Sequence, residues 1–337
     1  MGKFTLPVVK DPPINTYLHY AFPFSLLMLN SYYNDWILNN FIQVAYSPQD
    51  KCPFDYHEFF YDKWPCLTVC CMKPDMVREQ PNILSFIRRM LEEGWYCFAW
   101  VDCYFIPGTP LYKKRRDTEG LLIYGYDTTS EPYFQALTYK VRGKNLKYGD
   151  TAVAVHDFCR SLESEKFDDL QFVKVNAACS VDYNILRIRK KLIAYLHSQN
   201  LEIDNMKYHK QEEITSFGVQ ACEEAISYLE GLRPADILDL RIPHLFREHK
   251  RIMMFRIDKI LESYAIPGYP FTADDRKFMI QMADELLYYC MKCGMRGYND
   301  PQTLSRISDV AHRLLEMERE MLIPIIEFPW EELLARL

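Results

Sequence analysis

Several things are scarce or missing in this sequence. No dense basic block occurs apart from "KKRR" at Lys113–Arg116, and the net charge is −6. That balance disfavours a nucleic-acid partner, and four charges on one loop read as a solvated face. No apolar run approaches the length needed to span a bilayer, which argues against a membrane role. The first residues, "MGKFTLPVVKDPP", contain no apolar segment like a signal peptide, and Leu6 breaks the myristoylation pattern. A cytoplasmic protein is expected. The second half also has no detectable internal repeat and no low-complexity linker.

Cysteine is absent before Cys52, although the chain has 11 in all. An odd number scattered through a long chain argues against a fully paired disulfide framework. "CLTVCC" (Cys66, Cys70, Cys71) reads as part of a buried strand and "CMKC" (Cys290, Cys293) as part of a helix. A structural zinc would need four ligands in compatible geometry, so these thiols read as small buried hydrophobes and no metal is expected.

What is present is apolar mass. Hydrophobic residues make up 49% of the 337 and aromatics 15%, enough for one large or two modest domains. From about residue 15 to 180, helix and strand signals alternate. "FPFSLLMLNSYYNDWILNNFIQVAY" reads as one or two buried helices. "WPCLTVCCM" reads as a strand, and "NILSFIRRMLEEG" as an amphipathic helix that Gly94 can close. "WYCFAWVDCYF", "GLLIYGYD" and "PYFQALTYKV" are strand-like and rich in aromatic and β-branched residues. "GDTAVAVHDFCRSLES" reads as a helix with Asp150 as N-cap, and "LQFVKVN" as a further strand.

From Tyr183 onward the period becomes 3.6. Ile185, Arg189, Leu192 and Leu196 share one helical face, as do Ile214, Phe217, Ala221, Ala225, Tyr228 and Leu232. Thr272 and Asp275 form a capping box, Gly294 marks the stop of that helix, and Asp300 with Pro301 begins the next. Two charges interrupt apolar stripes: Arg256 with His249, Met253 and Ile260, and Glu318 with Ile307, Ala311, Leu314 and Met321. An unpaired buried charge costs several kcal/mol, so each needs a partner. Mutual pairing of Arg256 and Glu318 is the simpler expectation, and a ligand-binding pair at the domain junction is the sharper one. The organisation expected is a domain over 1–180 and a helical domain over 181–337.

"GWYCFAWVDCYFIPGTPLYKKRRDTEGLLIYGYD" resembles the core of the butirosin-biosynthesis H-like family. The resemblance rests on Val101-Asp102, Tyr104, Pro107, Tyr112-Lys113 and Gly125-Tyr126-Asp127. "FSLLMLNSYYNDWILNNFIQVAY", "FDYHEFFYDKWPCLTVCCM" and "FREHKRIMMFRI" extend it over most of the chain. It implies an α+β protein: a papain-like (cysteine-protease-like) half with an antiparallel sheet, then a C-terminal helical bundle. The chemistry it implies is acyltransferase or amide synthase chemistry in antibiotic, nonribosomal peptide or polyketide biosynthesis. A Cys-His-Asp set takes an acyl group from a carrier-protein thioester and hands it to an amine. No resident cofactor is implied, since the acyl donor would ride on a phosphopantetheinyl carrier protein. Partners implied are an acyl or peptidyl carrier protein, a related biosynthetic enzyme, or a second copy in a homodimer.

Each catalytic position departs from that pattern. The nucleophile's place at the start of the first helix falls at His19 or Tyr20. The base, immediately before "GLLIYGYD", falls at Glu119, and the orienting acid falls at Ala136 or Leu137. A carboxylate is a weaker base than imidazole unless burial raises its pKa. Three hypotheses follow. The first is a pseudoenzyme that keeps the cleft and binds a carrier-linked acyl or peptidyl chain or an active relative. The second is an acyl or amide transferase or hydrolase rebuilt on His19, Tyr20 and Glu119, with Asp102, Tyr104 and Tyr112 as ligand-binding residues bordering the cleft. The third is a nucleophile that has moved to Cys97 or Cys103, for which inert burial competes. The geometric expectation is that Glu119 faces the His19/Tyr20 pair across one cleft. Bland roles compete for each residue: core packing for His19 and Tyr20, backbone hydrogen bonding for Asp102 and Tyr112, solvation for Glu119.

Overall fold

A computed structural model describes residues 2–49, 52–58, 60–143, 145–201, 214–296 and 299–335. In chain order, strand β1 (Lys3–Thr5) precedes helices α1 (Leu18–Leu27) and α2 (Tyr33–Asn39), then strands β2 (Val44–Tyr46) and β3 (Phe54–Tyr56). Strand β4 (Leu67–Met72), helices α3 (Pro74–Glu79) and α4 (Ile83–Glu92), and strand β5 (Tyr96–Asp102) come next. Strands β6 (Thr118–Asp127), β7 (Tyr133–Arg142) and β8 (Asn145–Ala154) lead to α5 (Val155–Leu162) and β9 (Asp169–Val175). The remainder is α6 (Ile185–Leu196), β10 (Ser216–Phe217), α7 (Gly218–Glu230), α8 (Arg241–Ser263), α9 (Ala273–Arg296), α10 (Pro301–Glu327) and α11 (Trp330–Leu334). The protein is thus α+β, with an antiparallel sheet and C-terminal helices.

Two compact units emerge, residues 1–33 with 61–180, and residues 34–60 with 181–337. The sequence reading gave 34–60 to the first half. Those residues instead join the helical unit, where β2 pairs with β3 on one side and with β10 on the other.

The first unit is built on a sheet ordered β4-β9-β5-β6-β7-β8, with β1 added along β6, and every pairing in it is antiparallel. Strand residues alternate between faces, and β5 and β6 pair without interruption from Cys97↔Ile123 to Asp102↔Thr118. One face carries Cys97, Ala99, Val101, Leu121 and Ile123, packed with Ile87 and Leu91 of α4 and Phe158 and Leu162 of α5. Each fully buried aliphatic side chain contributes about 1.5–3 kcal/mol to this layer. The other face carries Phe98 and Trp100, which meet Phe22 of α1 at ring separations of 5.2 and 6.0 Å.

Local signals explain the helix ends of this unit. Asn82 accepts from the Ser85 N–H at 3.0 Å to start α4. Gly94, at φ +83°, closes it in a Schellman motif, with Gly94 N–H bonding Leu91 O and Trp95 N–H bonding Met90 O. Asp150 is not a helix cap. It lies within β8, whose alternation of buried Thr151 and Val153 with more exposed neighbours is a strand pattern, and it accepts from the Tyr124 hydroxyl at 2.6 Å. Nor is β4 wholly buried: it is an edge strand, and Cys70 and Cys71 are exposed.

In the second unit, Thr272 and Asp275 form the expected reciprocal cap, and Asp300 caps α10 through the Thr303 N–H. Gly294 does not end α9, which continues to Arg296 with Gly294 lying close against Leu240. The expected helix from Ile214 starts later, because Ser216 and Phe217 pair with Tyr46 and Ala45. On α6 the buried face is Ile185, Ile188, Leu192 and Tyr195, while Arg189 reaches out to the Ile326 carbonyl at 2.7 Å.

Candidate functional site

The end of the β5–β6 ladder holds most of the residues singled out from sequence. Asp102, the last residue of β5, is fully buried. Its Oδ1 accepts from the Tyr104 N–H at 3.1 Å, starting a 3-10 turn at Cys103–Phe105. Its Oδ2 accepts from the Ser164 hydroxyl at 2.6 Å and from Arg116 Nε. Arg116 also donates to Ser164 Oγ at 2.8 Å and lies over the Tyr104 and Phe105 rings. Both Asp102 oxygens are therefore engaged by the chain itself, and the group pins the loop after β5. The "KKRR" stretch is correspondingly divided: Lys113, Lys114 and Arg115 are exposed as expected, whereas Arg116 reaches inward to a buried carboxylate. Tyr104 and Tyr112 are both half-buried on this loop, and the Tyr104 carbonyl accepts from the Lys113 N–H at 3.1 Å.

Glu119 stands on β6 opposite Val101. Part of the residue is exposed, but Oε2 is enclosed and has no hydrogen-bond partner. Burial pushes its carboxyl up to about 7, against the effect of a hydrogen bond with Cys103 and with a small push from Asp117. An acid titrating near neutrality is suited to proton transfer. The Cys103 thiol beside it is driven the other way from reactivity: burial first, then the Glu119 carboxylate, raise its pKa far above the ordinary thiol range.

The expected meeting of Glu119 with His19 and Tyr20 is not what the sheet allows. Gly120 points to the α1 face: a Cβ there would stand 2.7 Å from the Phe22 ring and 3.1 Å from Trp100. Its neighbour Glu119 therefore points to the opposite face, the one shared with Leu121, Ile123 and Cys103. His19 and Tyr20 sit at the start of α1, on the other side of the sheet, in an aromatic group in which the His19 ring stacks on Tyr17 and lies 4.2 Å from that of Tyr20. Tyr20 is 5% exposed and belongs to the core. Side-chain alternation within the ladder is the physical reason: a shift of one residue exchanges faces. Ala136 and Leu137, where the resemblance implies an orienting acid, are fully buried core residues.

Burial also weakens several of the other thiols as nucleophiles. Burial raises Cys97, Cys66, Cys290 and Cys222, and Cys71 is pushed up to about 11 by burial and by Asp169, which accepts its S–H at 3.3 Å. Among the described residues, no group of three or more His, Cys, Asp or Glu side chains is arranged to hold a metal ion, and no helix is long and apolar enough to cross a membrane.

In the helical unit, the buried charges are not partnered as expected. Arg256 donates to the carbonyls of Ile37, Leu38 and Asn40 at 3.0, 2.9 and 2.5 Å. These carbonyls lie at or just past the C-terminal end of α2, where the partial negative charge of a helix end attracts a cation. Burial lowers the Arg256 pKa to about 10. Glu318 pairs instead with Lys250, 2.5 Å away, and accepts from the Tyr195 hydroxyl at 2.6 Å. Lys250 also donates to Tyr195 Oη at 3.0 Å. His249 is held neutral, its pKa lowered by burial and by Lys250, with Nε2 donating to the Ile42 carbonyl at 2.9 Å. Lys250 was missed because it is off the His249–Met253–Arg256 stripe. The spacing Phe246, Lys250, Met254, Ile257 marks a second buried stripe on the same helix.

No family model matches the chain, and no curated protein matches it either.

Proposed function

We propose that this protein is a binding module, a triad-lacking relative of the butirosin-biosynthesis H-like acyltransferases that recognises a carrier-linked acyl or peptidyl chain or an active enzyme of the same pathway. The observation that carries the reading is the state of the nucleophile's place. Where the family pattern puts a cysteine, His19 and Tyr20 stand in an aromatic cluster, with Tyr20 nearly shut off from solvent. The face of the sheet beside α1 is filled by Phe22, Phe98, Trp100 and Tyr148. Cys97 and Cys103 do not take over that role, since burial raises the pKa of both thiols. On this reading the first unit is papain-like in ancestry and has lost its chemistry.

Catalysis by rebuilt residues is the second reading, and it draws on Glu119 alone, whose carboxyl titrates near 7. His19 and Tyr20 lie across the sheet from it and supply no partner group. An acyl N-acetylcysteamine thioester offered with an amine tests both readings. The binding-module reading expects no turnover above the uncatalysed rate, together with saturable binding of an acylated carrier protein. Turnover abolished by Glu119→Gln would replace it with the second.

A further inference from the structure

Helix α9 packs its inner face against α8 and α10, burying Met279, Met282, Ala283, Leu286 and Cys290. Its outer face carries a second pattern. Phe278, Gln281, Glu285, Tyr288, Lys292 and Met295 follow one another at intervals of three, four, three, four and three residues. That is the heptad spacing by which one helix presents a seam to another. Gln281 and Glu285 are exposed and Lys292 is half-buried. The other three are large apolar residues left in solvent: Phe278 is 38% exposed, Tyr288 62% and Met295 59%. Arg313 of α10 lies over the Phe278 ring at 5.2 Å and still leaves it open. Single exposed apolar residues are ordinary, but these three share one seam about 25 Å long.

The order of residues along the seam selects its occupant. Read in reverse, the seam matches itself, as a two-fold contact between identical helices requires. Two antiparallel copies about an axis between Glu285 and Tyr288 place Phe278 opposite the partner's Met295. Gln281 then falls opposite the partner's Lys292, and Glu285 opposite the partner's Tyr288. Helical side chains lean toward the N-terminus, so Glu285 and the partner's Lys292 lean toward each other in this arrangement. The same lean brings the two Tyr288 rings together at the axis, the part of a contact best shielded from water. A parallel pair would instead set Glu285 against Glu285 and Lys292 against Lys292, which repel. An unrelated partner would require no such symmetry.

We infer that the outer face of α9 is the contact between two copies of this chain. The contact is an antiparallel helix pair with Tyr288 at its centre and two Glu285–Lys292 ion pairs beside it. The polar share of the seam makes this a reversible dimer, since obligate contacts are more apolar.

Sedimentation equilibrium of the full chain over a range of concentrations tests this. The wild type is expected to show a monomer–dimer equilibrium. Tyr288→Asp should weaken it by about thirty-fold, the size of a central interface anchor. Glu285→Lys and Lys292→Glu each set like charges together and should each weaken it about three- to ten-fold. Combining the two reversals restores opposite charges and should recover the wild-type constant. Thermal melts confirm that each variant folds, and Met295→Asp replaces Tyr288→Asp if that one does not. A wild type that stays monomeric up to its solubility limit would overturn the inference. So would a dimer that Tyr288→Asp leaves intact, since it would use another face. Losses that add in the double reversal would overturn the antiparallel pairing.

Discussion

Lys250 Nζ and Glu318 Oε2 stand 2.5 Å apart with neither side chain reaching solvent, joining α8 to α10 through a contact that Tyr195 of α6 shares. Removing one member leaves the other charge enclosed and unpaired. Glu318→Leu alone is expected to destabilise the helical unit by about 3–5 kcal/mol, and Lys250→Met by a similar amount. The double variant should recover most of that loss, because two apolar side chains of similar size need no partner. Urea unfolding of the four proteins measures the coupling, and simple addition of the two single losses would show that the residues do not act as a pair.

Asp102 is the second polar centre with a structural role. Asp102→Ala removes acceptors from the Tyr104 N–H, the Ser164 hydroxyl and Arg116 together, and should cost about 1.5–3 kcal/mol. Arg116→Ala should cost less, about 1 kcal/mol, because its side chain is 45% exposed and solvent recovers much of the lost interaction. Thermal melts of the two variants compare them. Equal losses would mean that Asp102 serves only the ion pair and does not anchor the loop.

Much of this architecture was legible from periodicity. Strands β5, β6, β7 and β9 announced themselves by short apolar runs, and the helical half by its 3.6-residue stripes. Strand β8 was misread, since "GDTAVAV" carries Ala, Gly and Asp and looks like a helix start. Its pairing along the whole of β7, from Tyr133↔Ala154 to Arg142↔Asn145, overrides that local signal. The candidate site was legible in its residues but not in its facing. Composition marked Glu119 as an odd acid at a strand mouth. Which side of the sheet it occupies depends on register against β5 and on where α1 packs, neither of which a single strand encodes. Buried polar partnering was the least readable property: Arg256 found backbone carbonyls and Glu318 found a lysine one residue from the expected stripe.

Cysteine labelling separates exposed thiols from core ones. Iodoacetamide under native conditions should modify Cys70 and Cys71 on the edge strand well before Cys97 and Cys103, both of which are fully buried. With its pKa pushed up to about 11, Cys71 should hold roughly a hundredfold less thiolate than an ordinary thiol and react slowly for an exposed one. Peptide mass spectrometry over a time course reads the order. Rapid native modification of Cys103 would restore a displaced nucleophile to consideration.

Glu119 gives the first unit a pH dependence whose sign is fixed by its environment. Its folded-state pKa of about 7 lies above the ordinary value of 4.5, because enclosing the carboxyl penalises its charged form. The folded unit therefore prefers the protonated acid. Stability from this group is whole below about pH 4.5 and is lost as pH rises through about 7. Allowing for its partial exposure, the loss is on the order of 2 kcal/mol. Glu119→Gln keeps the shape and cannot ionise. It should match the wild type near pH 4.5 and exceed it above pH 8 by about that amount. Urea unfolding at several pH values gives the difference directly. A constant difference across the range would mean that Glu119 is an ordinary solvated carboxylate at the mouth of β6, and the proton-transfer reading of this site would fall with it.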